Sequence, residues 1–245
     1  MTPEYPDISD YQTVTDWAAL RAWTAQWDGV SRIAIKLTEG TSEVQSGRLA
    51  AGAVAAKFDL ILWYHFARPD LNPNWAGAQA EVDHFRSVLG KYIRADRDYV
   101  MLDYEGAPGA DSALWLPDWA WDWLHIVAGN ENLPTTRCTL YSYQAFIAAH
   151  LQLQKLANFP LILARYTSVT PPVPSPFPAY LAWQYTSTGV VPGIAGNVDI
   201  NRWYGPKVAP PVTLPPPTPA PDLIAIKTDL QAAQVSLADA LSKLG

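Results

Sequence analysis

The sequence predicts an α/β barrel built around a parallel sheet. Short apolar segments typical of buried strands alternate with longer segments whose apolar residues recur at three- and four-residue spacing, as in amphipathic helices. The alternation extends over about 200 residues, a length at which a parallel sheet closes into a barrel more readily than it stays open. Hydrophobic residues make up 49% of the chain and charged residues 16%. This composition can fill a large core and excludes global disorder.

The first half of the chain contains three predicted strand–helix units and a fourth strand. The strand segments are rich in apolar, β-branched and aromatic residues, and they cover 5–11, 32–37, 60–66 and 99–103. Thr15 or Asp16 can cap a first helix that carries Trp17, Leu20, Trp23 and Trp27 at helical spacing. An Ala-rich segment predicts a second helix at about 43–57, and a third is expected at about 75–89.

The second half continues the alternation and then loses its helices. Helices are predicted at about 112–128 and 143–156, with strands at 137–141 and 161–166. The proline-rich segment 171–178 can form neither a helix nor a central strand. Two short strands, at 180–185 and 198–200, follow with no helix between them.

One stretch combines the strand pattern with reactive groups. Val100, Met101 and Leu102 lead directly into Asp103, and Glu105 follows two residues later. Side chains alternate along a strand, so both carboxyl groups point the same way. Two carboxyl groups held close raise the pKa of one partner, which supplies the protonated and the ionised group that acid-assisted glycoside cleavage needs. The alternative is an ordinary strand end whose acidic residues face water.

Other acidic and aromatic residues are expected at the same rim. Sites in parallel α/β folds lie at the carboxyl ends of the strands. The residues at the predicted ends are Asp7, Glu39, Tyr64, His65, Asp103, Glu105, Tyr141, Arg165, Trp183, Gln184 and Asp199. Their convergence favours a functional site over a solvated strand end. The chain also has 11 Trp and 12 Tyr residues, which suit either a core or a sugar-binding cleft.

Several other classes of function are excluded or disfavoured. The sequence has no Gly-x-Ser-x-Gly elbow, phosphate loop or dinucleotide fingerprint, and its four histidines lie far apart. We therefore expect no cofactor and no metal site. A net charge of −6 argues against binding nucleic acid. No apolar run is long enough for a membrane span, and the first residues lack the features of a secretory signal. Cys138 stands alone and is expected in the core.

The chain resembles the family 25 glycoside hydrolases, lysozymes that act as N-acetylmuramidases. The matching segments occur in the family's order, and they are 6–12, 36–40, 64–66, 103–105, 182–185 and 198–199. The resemblance implies a TIM-like barrel of the irregular (β/α)5β3 type as a catalytic domain over 1–205. It also implies a retaining hydrolase that cleaves the β-1,4 bond between N-acetylmuramic acid and N-acetylglucosamine in bacterial peptidoglycan.

The resemblance also assigns roles to individual residues. Glu105 would be the general acid, and Asp103 would stay ionised to stabilise the oxocarbenium-like state or to orient the substrate's acetamido group. Asp7 and Asp199 would flank this pair and keep the pKa of Glu105 high. The residues implied to bind substrate are Tyr64, Tyr141, Trp183, Gln184 and Glu39. Core packing is the alternative for Tyr141 and Trp183.

The resemblance and the absence of a signal sequence together suggest a phage endolysin. Such an enzyme is made in the host cytoplasm without a signal peptide and acts on the bacterial cell wall, either late in infection or from a virion. The alternative is a non-catalytic wall-binding or virion structural module that kept the fold. The full set of acidic residues favours the enzyme, because a binding module needs no general acid.

The end of the chain predicts a linker and a helix. Residues 206–221 contain eight prolines and form a stiff linker. In 222–245, four leucines recur every seven residues from Leu223 to Leu244, and Ile226, Ala233 and Ala240 occupy the alternate positions. This spacing predicts an amphipathic or coiled-coil helix with an apolar seam that needs a partner. The partner would be a second copy of the chain, making a homo-oligomer through 222–244, or the chain's own barrel.

Removing the tail tests the choice between these partners. Light scattering at tens of micromolar should find an oligomer for the full chain and a monomer for a chain ending at Tyr204, because only the full chain carries the seam. If both chains are monomers, the tail does not self-associate and a helix docked on the barrel is the better account.

Overall fold

The chain forms a closed barrel of eight strands surrounded by five helices in a computed structural model that describes residues 1–45, 47–106 and 114–207. The predicted helix 222–245 and all but the first two residues of the predicted linker 206–221 lie outside the described residues. The oligomer expected from that helix therefore stays a prediction.

The strands and helices alternate through the first five units of the barrel. The strands are β1 (Glu4–Ile8), β2 (Arg32–Glu39), β3 (Leu60–Phe66), β4 (Tyr99–Asp103), β5 (Cys138–Tyr143), β6 (Leu161–Ala164), β7 (Tyr180–Gly189) and β8 (Val198–Trp203). The helices are α1 (Trp17–Ala25), α2 (Gly47–Ala55), α3 (Asn74–Leu89), α4 (Leu116–Asn130) and α5 (Gln144–His150). Each helix follows the strand of the same number.

The barrel closes in sequence order. Each strand from β1 to β6 pairs in parallel with the next, whereas β8 runs antiparallel to both β7 and β1. No described helix separates β6, β7 and β8. The predicted irregular (β/α)5β3 barrel is therefore confirmed.

Local interactions shift some predicted boundaries. The second helix begins at Gly47 rather than near 43, because Glu43–Val44 form a short strand antiparallel to the end of β2. The helix predicted at 143–156 ends at His150, where the Gln152 side chain donates to the Ile147 carbonyl at 2.7 Å, and a 3₁₀ turn follows at Gln154–Asn158. Such a side-chain bond satisfies a helix-end carbonyl that has no partner within the helix.

Two apolar layers hold the barrel together. Alternate residues of the strands fill the interior, among them Leu62, Tyr99, Met101 and Trp203. The opposite faces pack against the helices in a larger layer that includes Trp119 and Trp123 of α4. Fully burying an aliphatic or Phe side chain contributes about 1.5–3 kcal/mol, so these layers dominate stability.

A buried polar network ties α3 to the outer face of the barrel. Nε2 of His65 lies 2.7 Å from a carboxylate oxygen of Glu81, and its Nδ1 lies 2.7 Å from the Thr38 hydroxyl. The Glu81 carboxylate also accepts from the backbone N–H of Arg68 and from the Asn72 side chain. His65 and Glu81 are fully buried. The expectation that His65 lines the cleft is therefore wrong: it fixes the helix layer to the strands.

Removing the Glu81 carboxylate should destabilise the fold strongly. Glu81→Ala leaves several buried donors without a partner, so the free energy of unfolding should fall by about 3–5 kcal/mol in denaturant titration. Asp83→Ala is the matched control, because Asp83 lies two residues after Glu81 but on the exposed face of α3. This variant should change the free energy of unfolding by less than about 0.5 kcal/mol. Equal losses of unfolding free energy for the two variants would show that the buried network contributes no more to stability than an exposed carboxylate does.

Candidate active site

Four carboxyl groups meet at one rim of the barrel. Asp7 lies near the end of β1, Asp103 ends β4, and Glu105 follows two residues later. Asp199 is the second residue of β8 and is the register partner of Asp7. It was predicted at the carboxyl end of a strand, but β8 runs antiparallel, so the amino end of that strand reaches the rim. The four carboxyl groups line one depression together with Tyr64 and Tyr141.

The backbone around Tyr104 orients the two central carboxyl groups. Tyr104 is fully buried in the helix-facing layer, where its ring packs 5.5 Å from that of Trp119. Its backbone N–H donates to the Tyr141 carbonyl at 2.9 Å, which extends the β4–β5 pairing past the end of the strand. Because neighbouring side chains point to opposite faces, anchoring Tyr104 on the outside directs Asp103 and Glu105 into the depression.

Asp103 and Glu105 form one coupled pair. Their side chains are joined by a hydrogen bond, and Asp103 is 8% exposed. Burial raises the pKa of Asp103 well above its ordinary value, and the charge of Glu105 raises it further. Burial also raises the pKa of Glu105, with a further contribution from the charge of Asp7. A pair in this environment holds one proton over a wide pH range.

Burial raises the pKa of both members of this pair, so the pair as a whole holds the proton. The ionised state that the resemblance implies for Asp103 stays a prediction.

Gln184 connects the remaining groups of the rim. Its amide nitrogen donates to Asp7 at 2.9 Å and to Asp199 at 3.3 Å, and its carbonyl oxygen accepts from the hydroxyls of Tyr141 and Tyr166 at 2.8 and 2.9 Å. Gln184 is only 1% exposed, and its bond to Tyr141 is buried, whereas the other three are partly buried. The amide therefore sets the spacing between the acidic and the tyrosine side of the rim.

Burial and charge act together on the other residues of the depression. Asp7 also accepts from the Asn201 amide at 2.8 Å, yet burial still raises the pKa of Asp7. Burial and the charges of Asp7 and Glu105 raise the pKa of Asp199 to about 7. Burial raises the pKa of the Tyr64 hydroxyl well above 10, and all four carboxyl groups contribute. Tyr64 therefore lies within electrostatic reach of the whole cluster.

The depression continues into a second one on the far side of Glu105. We call the first the acidic lobe, lined by Asp7, Ser9, Tyr11, Lys36, Tyr64, Phe66, Met101, Asp103, Glu105, Tyr141 and Asp199. We call the second the tyrosine lobe, lined by Glu105, Tyr141, Tyr143, Ala164, Arg165 and Tyr166. Glu105 and Tyr141 belong to both lobes. An elongated chain lying across both lobes would pass directly over Glu105.

Three predicted substrate-binding residues line neither lobe: Gln184, whose contacts are given above, Trp183 and Glu39. Trp183 is fully buried on the outer face of β7, where its indole N–H donates to the Arg165 carbonyl at 2.7 Å and the Arg202 guanidinium lies 5.2 Å from its ring. Core packing, the alternative to substrate binding for Trp183, therefore accounts for this residue. Glu39 uses both carboxylate oxygens for cations, with Lys36 at 2.6 Å and Arg68 at 3.1 Å.

Several residues of the site were not predicted, among them Lys36, Tyr166 and Asn201. Lys36 interrupts the apolar run of β2, which is a signal that the sequence contains. Tyr166 lies two residues beyond β6, and Asn201 is in β8, where composition gives no indication of function. Among the described residues, no group of three or more His, Cys, Asp or Glu side chains could hold a metal ion. None of the described helices is long and apolar enough to span a membrane.

Comparison with known proteins identifies similar chains. The family model for glycosyl hydrolases family 25 matches residues 6–194. Lysozyme M1 from Streptomyces globisporus is 30% identical over 206 residues, which is 81% of this chain and 67% of that protein. The D-alanyl-L-alanine endopeptidase of Streptococcus phage B30 is 27% identical over 225 residues, 85% of this chain but only 46% of that protein.

The architecture is also similar to that of a solved bacterial lysozyme. The lysozyme from Streptomyces coelicolor superposes with a TM-score of 0.70 at 26% identity, covering 84% of this chain and 94% of the lysozyme.

The raised pKa of Asp199 predicts how stability depends on pH. Below about pH 4 the Asp199 carboxyl group is protonated in both the folded and the unfolded protein. Between pH 4 and 7 it ionises in the unfolded chain but keeps its proton in the folded one. The folded state then binds more protons, so stability falls as the pH rises. Asp199→Asn should therefore raise the melting temperature at pH 8 by roughly 2–4 °C, with a smaller gain at pH 5.

The control for this measurement is Asp83→Asn on the exposed face of α3. Its melting temperature should differ from that of the wild type by the same small amount at both pH values. A gain for Asp199→Asn that is independent of pH would mean that the carboxyl group is not crowded as described.

Proposed function

This chain belongs to the glycosyl hydrolases of family 25, and we propose that it cuts the β-1,4 bond between N-acetylmuramic acid and N-acetylglucosamine, with Glu105 as the general acid. The chain is a glycoside hydrolase with muramidase activity, and peptidoglycan is its substrate. The proposal concerns which bond is cut and which residues cut it.

The observation that carries the proposal is the position of Glu105. It lies at the junction of the acidic and tyrosine lobes, hydrogen-bonded to Asp103 and beside Tyr141. A glycan that occupies both lobes brings one glycosidic oxygen over its carboxyl group. A raised pKa suits an acid that must hold its proton until that oxygen arrives.

Bond cleavage requires the shared proton to be on Glu105. The two side chains share this proton through the hydrogen bond between them. Glu105 donates it to the glycosidic oxygen, which takes the electron pair of the breaking bond and leaves as the hydroxyl of N-acetylglucosamine. The positive charge that develops on the muramic acid ring faces the ionised Asp103.

Asp103 supports the charged ring by one of two routes. The carboxylate either stabilises the oxocarbenium-like centre directly or orients the acetamido group, whose oxygen attacks the anomeric carbon. Glu105, now ionised, accepts a proton from a water molecule that completes hydrolysis with retention of configuration. A classical inverting reaction needs about 6.5–9.5 Å between the two carboxyl groups to admit water, and the hydrogen-bonded pair here is too close for that.

Asp7 and Asp199 keep the pair protonated without touching the reacting bond. The charge of Asp7 raises the pKa of Glu105, and Gln184 fixes the positions of Asp7 and Asp199. Tyr64, Tyr141 and Tyr166 would line the bound glycan, because tyrosine rings pack against the apolar faces of sugars. Trp183 has no part in this binding, since it is buried on the outer face of β7.

The biological setting that we propose is a phage endolysin, made in the host cytoplasm and released onto the cell wall. The relative from Streptococcus phage B30 supports a phage setting. The name of that relative records a peptidase, but this chain spans less than half of its length. A net charge of −6 gives no electrostatic attraction to an anionic wall, so wall binding would depend on specific contacts.

Glu105→Gln tests the proposed acid. The amide keeps the size of the side chain but cannot deliver a proton, so the release of new reducing ends from purified peptidoglycan should fall by about 10² to 10⁴. Binding to sedimented wall and the melting temperature should change little.

Glu131→Gln is the matched control, because Glu131 follows α4 and pairs with Arg86 at 2.6 Å. This variant should cleave the wall at the wild-type rate. A Glu105→Gln variant as active as the control would show that Glu105 is not the acid. A wild-type protein that binds wall and releases no reducing ends would favour a non-catalytic wall-binding module.

A further inference from the structure

Lys36 brings a positive charge into the acidic lobe. It lies two residues beyond Ala34, which packs in the barrel interior, so its side chain points to the same inner face. It is the register partner of Tyr64, and it is 8% exposed. Among the described residues that line the acidic lobe, Lys36 alone carries a positive charge, against four carboxyl groups.

A chain of alternating charges holds the Lys36 ammonium in place. Its Nζ lies 2.6 Å from one carboxylate oxygen of Glu39 and 4.8 Å from the centre of the Phe66 ring. The other oxygen of Glu39 accepts from Arg68 at 3.1 Å, and Arg68 makes two further bonds to Asp70 at 2.9 and 3.0 Å. Asp70 and Arg68 thus fix Glu39, and Glu39 fixes Lys36.

The buried carboxyl cluster creates a difficulty that this cation can resolve. Desolvation and like-charge repulsion drive all four carboxyl groups toward the neutral form. The reaction needs one proton on the Asp103–Glu105 pair and one ionised carboxylate, not two neutral acids. Among the described residues that line the two lobes, the other ionisable groups are one cation, Arg165, whose guanidinium donates to the Gln144 side chain, and the acids Asp7, Asp199, Tyr11, Tyr64, Tyr141, Tyr143 and Tyr166.

We infer that Lys36 is a positioning residue that keeps the Asp103–Glu105 pair singly protonated, and that Glu39 acts by holding Lys36 rather than by binding substrate. This inference rests on the proposed function of the pair. The charge of Lys36 lowers the pKa of both Asp103 and Glu105, opposing the larger effect of burial. Glu39, whose carboxylate is already shared by two cations, anchors that charge from outside the lobe.

Lys36→Met tests the effect of the charge. Without the ammonium, both carboxyl groups should bind protons more tightly, so both limbs of the activity–pH profile on purified wall should move about one unit toward alkaline pH. Lys36→Arg restores a positive charge and should return the limbs most of the way to those of the wild type. A merely structural role would lower activity at all pH values without moving the limbs.

Lys155→Met is the matched control. Lys155 also lies over an aromatic ring, that of Trp121 at 3.9 Å, and pairs with a carboxylate, that of Asp118 at 2.9 Å, but it lines neither lobe. The limbs of the activity–pH profile of Lys155→Met should coincide with those of the wild type. If Lys36→Met and Lys155→Met give the same profile, the inference is wrong.

Glu39→Gln separates the two roles of Glu39 and serves if Lys36→Met fails to fold. Loss of this anchor should displace the Lys36 ammonium, so kcat should fall and the limbs should move from their wild-type positions, with KM little changed. A raised KM with unmoved limbs would make Glu39 a substrate-binding residue and overturn the holding role.

A measurement without turnover keeps this inference distinct from the proposed function. Carbon NMR of the carboxyl groups should show the pair titrating at higher pH in Lys36→Met than in the wild type. That shift is expected even if the protein cleaves no wall, whereas identical titrations would refute the inference even in an active enzyme.

Discussion

Repulsion among four carboxyl groups at one rim of the barrel is the constraint on which the rest of the structure depends. Asp7, Asp103, Glu105 and Asp199 all contribute to the raised pKa of Tyr64, which places them around a single hydroxyl. An open or flexible sheet would relieve this repulsion by separating the strands. The closed barrel prevents that, because β8 pairs with both β7 and β1 and holds Asp199 opposite Asp7.

Neutral and positive groups stabilise the four carboxyl groups of the rim while these groups stay close together. Gln184 and Asn201 donate to Asp7 from buried positions, so this carboxylate has partners other than water. On the outer face, the contacts of Glu81 with His65 and Asn72 fix helix α3 to the strands that bear the rim. Buried polar networks of this kind stabilise a fold only when every member is paired. Here the paired network holds in place the strands that carry the reactive groups of the rim.

The sequence predicted the barrel and the central pair because both follow from periodicity. The two-residue period of a strand gave Asp103 and Glu105 a common face, and the alternation of strands and helices gave the (β/α)5β3 order. By the same period, adjacent residues such as Trp183 and Gln184, or Tyr64 and His65, cannot both face the cleft. All four are buried, and their contacts place Gln184 and Tyr64 inside and the other two outside. The antiparallel direction of β8 and the partners of Glu39 depend on contacts between distant segments, which no local pattern reveals.

The chemical identity of the new chain end tests the account most directly. After digestion of purified peptidoglycan, borohydride reduction and mass spectrometry identify the sugar that carries the new reducing end. The account predicts N-acetylmuramitol, because Glu105 protonates the oxygen on which N-acetylglucosamine leaves. A reduced glucosamine end, or new free amino groups without new reducing ends, would contradict it, since the first places the cut at the other glycosidic bond and the second places it in the peptide.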